Sequence, residues 1–104
     1  MNKYYEEANK LKEQMIDQRR DLHQMPEIGL DLPKTSAYVE EKLKALGLEV
    51  KRYGTSGLSA TIKGEKGDGK TILLRADMDA LPMEEINDLD FKAEGTCAHT
   101  CGHD

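Results

Sequence analysis

Thr71-Ile72-Leu73-Leu74-Arg75-Ala76-Asp77 is a short apolar run with a Gly-rich stretch before it and Pro82 after it. Such a run, without polar alternation, suits a central strand buried on both faces of a sheet. The residues just upstream have a period of two. Leu48 and Val50 alternate with Glu49 and Lys51; after Gly54-Thr55-Ser56-Gly57, Leu58, Ala60 and Ile62 alternate with Ser59, Thr61 and Lys63. This predicts two half-buried strands.

Further upstream the period is helical. Tyr4, Ala8, Leu11, Met15 and Leu22 keep one stripe on one face, which predicts a helix over residues 2–24 that ends before Pro26. Glu6 and Glu7 near its start and Arg19 and Arg20 near its end suit the helix dipole. The stripe reads as core packing. Asp31-Leu32-Pro33 is a helix entry with Pro33 at the first helical position, and a second helix is expected over residues 33–46. Val39, Leu43 and Leu46 share one face of it, Glu40 is set four residues before Lys44, and Gly47 supplies the stop. The order helix, helix, strand, strand, strand implies an α/β fold, two N-terminal helices packed on a mixed sheet.

The length of 104 residues allows one domain, residues 1–104. With 38% hydrophobic and 34% charged residues, one Phe and no Trp, its core must be thin. A net charge of −5 without a basic stripe argues against a nucleic-acid or anionic-membrane partner. The N-terminus lacks an apolar signal region and no stretch approaches the ~18 apolar residues that cross a bilayer, so a cytoplasmic location is the expectation.

The chemistry concentrates after the apolar run. Asp77 and Asp79 stand at i and i+2 at the expected strand end, where α/β proteins place their sites, although a lone D-x-D is equally a solvated turn. Arg75 is placed to pair with one of these carboxylates, whereas Glu84 and Glu85 read as surface or loop-capping acids. The run Cys97-Ala98-His99-Thr100-Cys101-Gly102-His103-Asp104 then places two Cys and two His among small residues. Thiolate and imidazole are ligands of zinc and similar divalent ions. In an extended segment Cys97 and His103 would lie about 20 Å apart, beyond the reach of one ion. Cys101 and His103, separated by flexible Gly102, are the nearer pair and the first candidates. Cys97 reads as a small buried side chain and His99 as a residue supporting a ligand or facing substrate; a Cys97–Cys101 disulfide is the alternative. Metal-bound imidazoles usually pass their other N–H to a carboxylate, and Asp77 or Asp79 could receive it.

One motif points elsewhere. Residues 64–71, Gly64-Glu65-Lys66-Gly67-Asp68-Gly69-Lys70-Thr71, satisfy the phosphate-loop pattern G-x-x-x-x-G-K-[ST] at every fixed position. The pattern needs a helix opening immediately after it, whereas the residues that follow read as a strand, and Glu65 and Asp68 add negative charge. Nucleotide binding at residues 64–71 and a non-catalytic metal-binding module are thus the alternative functions.

Three segments together resemble successive motifs of the dinuclear-metal amidohydrolases and metallopeptidases: Arg19-Arg20-Asp21-Leu22-His23-Gln24-Met25-Pro26-Glu27, Leu74-Arg75-Ala76-Asp77-Met78-Asp79-Ala80-Leu81-Pro82, and His99-Thr100-Cys101-Gly102-His103-Asp104. That family includes N-acyl-amino-acid amidohydrolases, hippurate hydrolases, indole-acetyl-amino-acid hydrolases and N-acetyl-diaminopimelate deacetylases. The resemblance implies a zinc-peptidase-like α/β catalytic domain with a smaller dimerisation domain inserted downstream. It implies two divalent ions per complete site, Zn, Mn, Co or Ni, and amide hydrolysis of N-acyl amino acids or small peptides through a metal-activated water. Cys101 and His103 would be ligands, Asp79 the acid that supports a ligand, and Asp77 would stand where relatives carry a metal-binding His. Met25 departs from the pattern where the family commonly has another His. The general base and remaining ligands would lie beyond Asp104, so the expectation is an N-terminal piece of a hydrolase, inactive alone. The parent is expected to form homo-oligomers and the piece to self-associate through exposed sheet edges.

Overall fold

The computed structural model describes residues 2–103, so Asp104, which closes the Cys/His run, lies outside the described residues. Its elements are α1 (Lys3–Lys10), α2 (Lys12–His23), α3 (Pro33–Ala45), β1 (Val50–Tyr53) and β2 (Gly57–Ala60). Asn2 caps α1 by accepting the Tyr4 N–H at 2.8 Å. The first expected helix is interrupted at Leu11, whose N–H bonds to Ala8 O at 3.0 Å before the regular pattern resumes with Met15 N–H on Leu11 O at 2.9 Å. One tightened turn divides the apolar stripe between α1 and α2.

Helix α3 follows its sequence signals closely, with one substitution of partner. Pro33 occupies the first turn, but the cap residue is Leu32, which has no side-chain acceptor. Glu27 supplies it from outside the helix: its carboxylate accepts the Thr35 N–H at 2.7 Å and the Lys34 N–H at 3.2 Å. Burial raises the Glu27 pKa, but these hydrogen bonds outweigh it and hold the carboxyl below its ordinary 4.5. At the other end Gly47, at φ 82°, donates to Lys44 O at 2.9 Å while Leu48 N–H reaches Leu43 O at 3.3 Å. This is the Schellman arrangement, which needs a left-handed residue and therefore favours Gly. Glu40 pairs with Lys44 at 3.3 Å as its spacing predicts, and also with Arg52 of β1 at 3.1 Å. Tyr38 Oη donates to Asp21 at 2.7 Å, joining α3 to α2.

The sheet differs from the expectation. Among the described residues it is a two-stranded antiparallel hairpin, Val50 opposite Ala60 and Tyr53 opposite Gly57, and not a mixed sheet. A Cβ on Gly57 would stand 2.9 Å from Tyr53 O, which explains Gly there. Residues 71–77 join no ladder, and Ile72, Leu73 and Leu74 are 84%, 88% and 92% exposed. A strand buried on both faces needs a neighbour on each side. An apolar run states what would be buried, and not which strand it pairs with. The same openness appears in the radius of gyration, 16.0 Å, against about 13 Å for a closed domain of 100 residues. Among the described residues the buried apolar ones are Leu32 and three alanines, Ala80, Ala93 and Ala98.

The segment after the apolar run is nonetheless held, and the holder is the turn following α2. His23 Nε2 meets the Glu85 carboxylate at 2.7 and 2.8 Å, across 62 residues of chain. Glu85, expected as a surface or loop-capping acid, is only 4% exposed and accepts the Ala93 N–H of the loop at 2.9 Å. Ala80 N–H donates to Glu27 O at 2.7 Å, Cys97 Sγ–H to Pro26 O at 3.3 Å, and Gln24 Nε2 to Asp90 O at 3.4 Å. Arg20 lies over the Phe91 ring at 4.5 Å. An antiparallel bridge between Leu81 and Ala98 then folds the Cys/His tail back toward the acidic stretch.

Three outcomes follow from these contacts. Glu27→Ala should lower unfolding free energy by about 1 kcal/mol, the usual worth of a helix cap, in urea titration. Glu27 and Glu85 both have folded pKa values below their ordinary 4.5. For Glu85 the cause is first the His23 hydrogen bond and then the Ala93 N–H. Their stabilisation is therefore complete above about pH 4.5 and lost as pH falls through the depressed folded values. Glu85→Ala should speed hydrogen exchange of the Ala93 amide roughly tenfold; unchanged exchange would show that the His23–Glu85 contact does not hold the segment.

Candidate metal site

Five side chains picked from sequence, Asp77, Asp79, His99, Cys101 and His103, border a single cleft of about 730 Å³. One wall is α1 and α2, through Ala8, Met15, Ile16, Leu22 and His23. Ala8, Met15 and Leu22 of that wall belong to the apolar stripe that the helical period marks, so this part of the stripe faces the site and not a packed core. The opposite wall combines residues 76–79 with the tail. Arg19 and Lys12 contribute the cationic part of the lining.

The tail reaches this cleft for reasons of register. Leu81 and Ala98 exchange backbone hydrogen bonds at 3.0 Å in both directions. In an antiparallel pairing the chain then runs back alongside its partner, so five residues after Ala98 lie near four residues before Leu81. That places His103 beside Asp77. The contact is made: His103 Nδ1 and Asp77 Oδ2 are 3.0 Å apart. This hydrogen bond, with a smaller contribution from the Arg75 charge, holds the Asp77 carboxyl below its ordinary range. Gly102, at φ 87°, turns the backbone between Cys101 and His103.

The other candidates separate clearly. Cys101 is exposed on the cleft, whereas Cys97 is half-buried, bonded to Pro26 O and absent from the cleft lining. Both thiols are free, so the alternative disulfide is not formed. His99 is half-buried on the cleft wall, its ring 6.5 Å from that of His23. Asp79 borders the cleft and is exposed. His23 and Glu85 were not marked as a pair by sequence. The signal for His23 was its place in the last turn of α2, where the dipole favours a cation. No local pattern announces a partner so distant in the chain. The loop over residues 64–71 is exposed and opens no helix, which removes the framework a phosphate loop requires.

As a donor set, one exposed thiol and one imidazole backed by a carboxylate fit a borderline divalent ion. Among the described residues no three Cys, His, Asp or Glu side chains converge on one point. Cys101 and His103 therefore remain two candidate donors on the cleft.

No protein-family model matches the chain. It is 39% identical to thermostable carboxypeptidase 2 of Saccharolobus solfataricus over 100% of this chain and 27% of the relative. It is 37% identical to the N-acyl-L-amino acid amidohydrolase of Geobacillus stearothermophilus over 93% of this chain and 26% of the relative. Among solved structures it matches a Bacillus subtilis dinuclear metal-binding peptidase of the M20 family with a TM-score of 0.83 and 34% identity, covering 91% of this chain and 27% of that one. The chain spans about a quarter of the length of the relatives it matches. Backbone trace and sequence agree: the chain corresponds to a segment of the dinuclear-metal amidohydrolase and peptidase family.

Proposed function

We propose that these residues form part of a hydrolase that cleaves the amide bond of N-acyl amino acids or small peptides, with Cys101 and His103 among the ligands of its divalent ions. The observation that carries this reading is the convergence of Asp77, Asp79, His99, Cys101 and His103 on one cleft, from stretches about 20 residues apart in sequence. The relatives' names, a carboxypeptidase and an N-acyl-amino-acid amidohydrolase, share hydrolysis of an amide bond next to an amino acid.

Each side chain has a distinct task. Cys101 loses its thiol proton on ligation, so binding strengthens as pH rises. His103 ligates through neutral imidazole. Asp79 is assigned as the catalytic carboxylate at the rim, and His99 as a residue facing substrate. The apolar wall of Met15, Ile16 and Leu22 gives an acyl group or apolar side chain a surface that excludes water. What divalent ions supply in such chemistry is Lewis acidity toward the attacking water and the amide carbonyl. The donors present do not discriminate among Zn, Mn, Co and Ni. The remaining ligands and the general base are assigned to other parts of the parent, which is read as a homo-oligomer. No helix among the described residues is long and apolar enough to cross a membrane, and two free thiols fit a reducing cytoplasm.

Titrating the reduced chain with Co(II) tests the ligand assignment through thiolate-to-metal absorption. The band should form, vanish in Cys101→Ser and survive in Cys97→Ser; the reverse pattern would reject it. In the parent protein, chelation or His103→Ala should lower kcat/KM for an N-acetyl amino acid at least about a hundredfold.

A further inference from the structure

The geometry points to Asp77 as a positioning residue: by accepting the Nδ1–H of His103 it fixes the imidazole tautomer and leaves Nε2 as the nitrogen that ligates the ion. The inference rests on the proposed metal-binding reading and deepens it. Two carboxylates at i and i+2 border the cleft, and sequence alone left either able to support a ligand. The structure separates them, because Asp77 Oδ2 lies 3.0 Å from His103 Nδ1.

The chemistry follows from valence. An ionised carboxylate only accepts hydrogen bonds, so a bonded Nδ1 carries the proton, and neutral imidazole then has its lone pair on Nε2. A carboxylate behind the ring also raises the basicity of that lone pair and restricts ring rotation. The His103 side chain is 68% exposed and would otherwise turn freely. The contact is built into the backbone. Ala80, three residues beyond Asp77, is anchored on Glu27 O at 2.7 Å, and the Leu81–Ala98 bridge sets the register that brings His103 back to Asp77. The left-handed turn at Gly102 aims the ring.

The test compares the parent chain with Asp77→Asn, Asp77→Ala and, as a charge-matched control on the exposed loop, Asp68→Asn, each checked for helix content by circular dichroism. The first measurement needs no metal: long-range ¹H–¹⁵N correlation of His103 above its titration. The parent, Asp68→Asn and Asp77→Asn, whose amide oxygen still accepts, should show Nδ1–H. Asp77→Ala should shift toward the Nε2–H form that free imidazole side chains favour. The second is Co(II) affinity, which should fall about 10- to 100-fold in Asp77→Ala, with the thiolate band retained at saturation. An Nε2–H tautomer in the parent, or an Asp77→Ala affinity within about twofold of the parent, would overturn the role of Asp77 while leaving the metal site standing. Failure of the parent itself to form the thiolate band would instead reject the metal-binding reading, and the metal-free tautomer would then decide the Asp77–His103 contact independently.

Discussion

The contact between His23 and Glu85 is the constraint on which the arrangement of the site depends. A carboxylate that is 4% exposed needs its lone pairs satisfied, because an unpaired buried charge is costly. Glu85 achieves this with His23 on one side and the Ala93 N–H on the other. The consequence is mechanical. A segment with no ladder of its own is pinned at its midpoint to the end of α2, and its flanks then fall onto the backbone carbonyls of Pro26 and Glu27.

Residues 23–27 act as a ledge with two uses. The backbone of Glu27 receives the Ala80 N–H, while its carboxylate caps α3 by accepting the N–H groups of Lys34 and Thr35. One residue therefore couples the direction of α3 to the position of the acidic stretch. Capping is inexpensive for a helix that begins with Pro33, since proline has no N–H to satisfy in the first turn. The tertiary contacts are mostly polar, and the buried apolar side chains are small, so directional hydrogen bonds define this part of the molecule more than close packing does.

The cleft is a product of the same economy. Its helical wall is formed by apolar residues of α1 and α2, and its far wall by residues 76–79 and the returning tail. Apolar surface next to exposed thiol, imidazole and carboxylate groups is the usual composition of a small-molecule site. The distinction between the two cysteines illustrates how position decides chemistry. Cys97 bonds inward to a carbonyl, and Cys101 stands four residues on at the opening.

Sequence by itself determined the features that depend on neighbouring residues. Pro33 and Gly47 delimit α3, Glu40 meets Lys44, and the Gly54-to-Gly57 turn closes the hairpin, because each rests on dihedral preference or a three- or four-residue spacing. Candidate donors could be named from residue type alone, and Gly102 marks the turn between Cys101 and His103. Tertiary structure alone decided the pairings across the chain. It joined His23 to Glu85, chose Asp77 over Asp79 as the partner of His103, and set the Cys97 thiol on the Pro26 carbonyl. It also left residues 71–77 without a ladder, where the apolar run had implied a central strand. The physical reason is common to all four: hydrogen-bond capacity and apolar area are properties of a residue, whereas a partner tens of residues away is selected by backbone register.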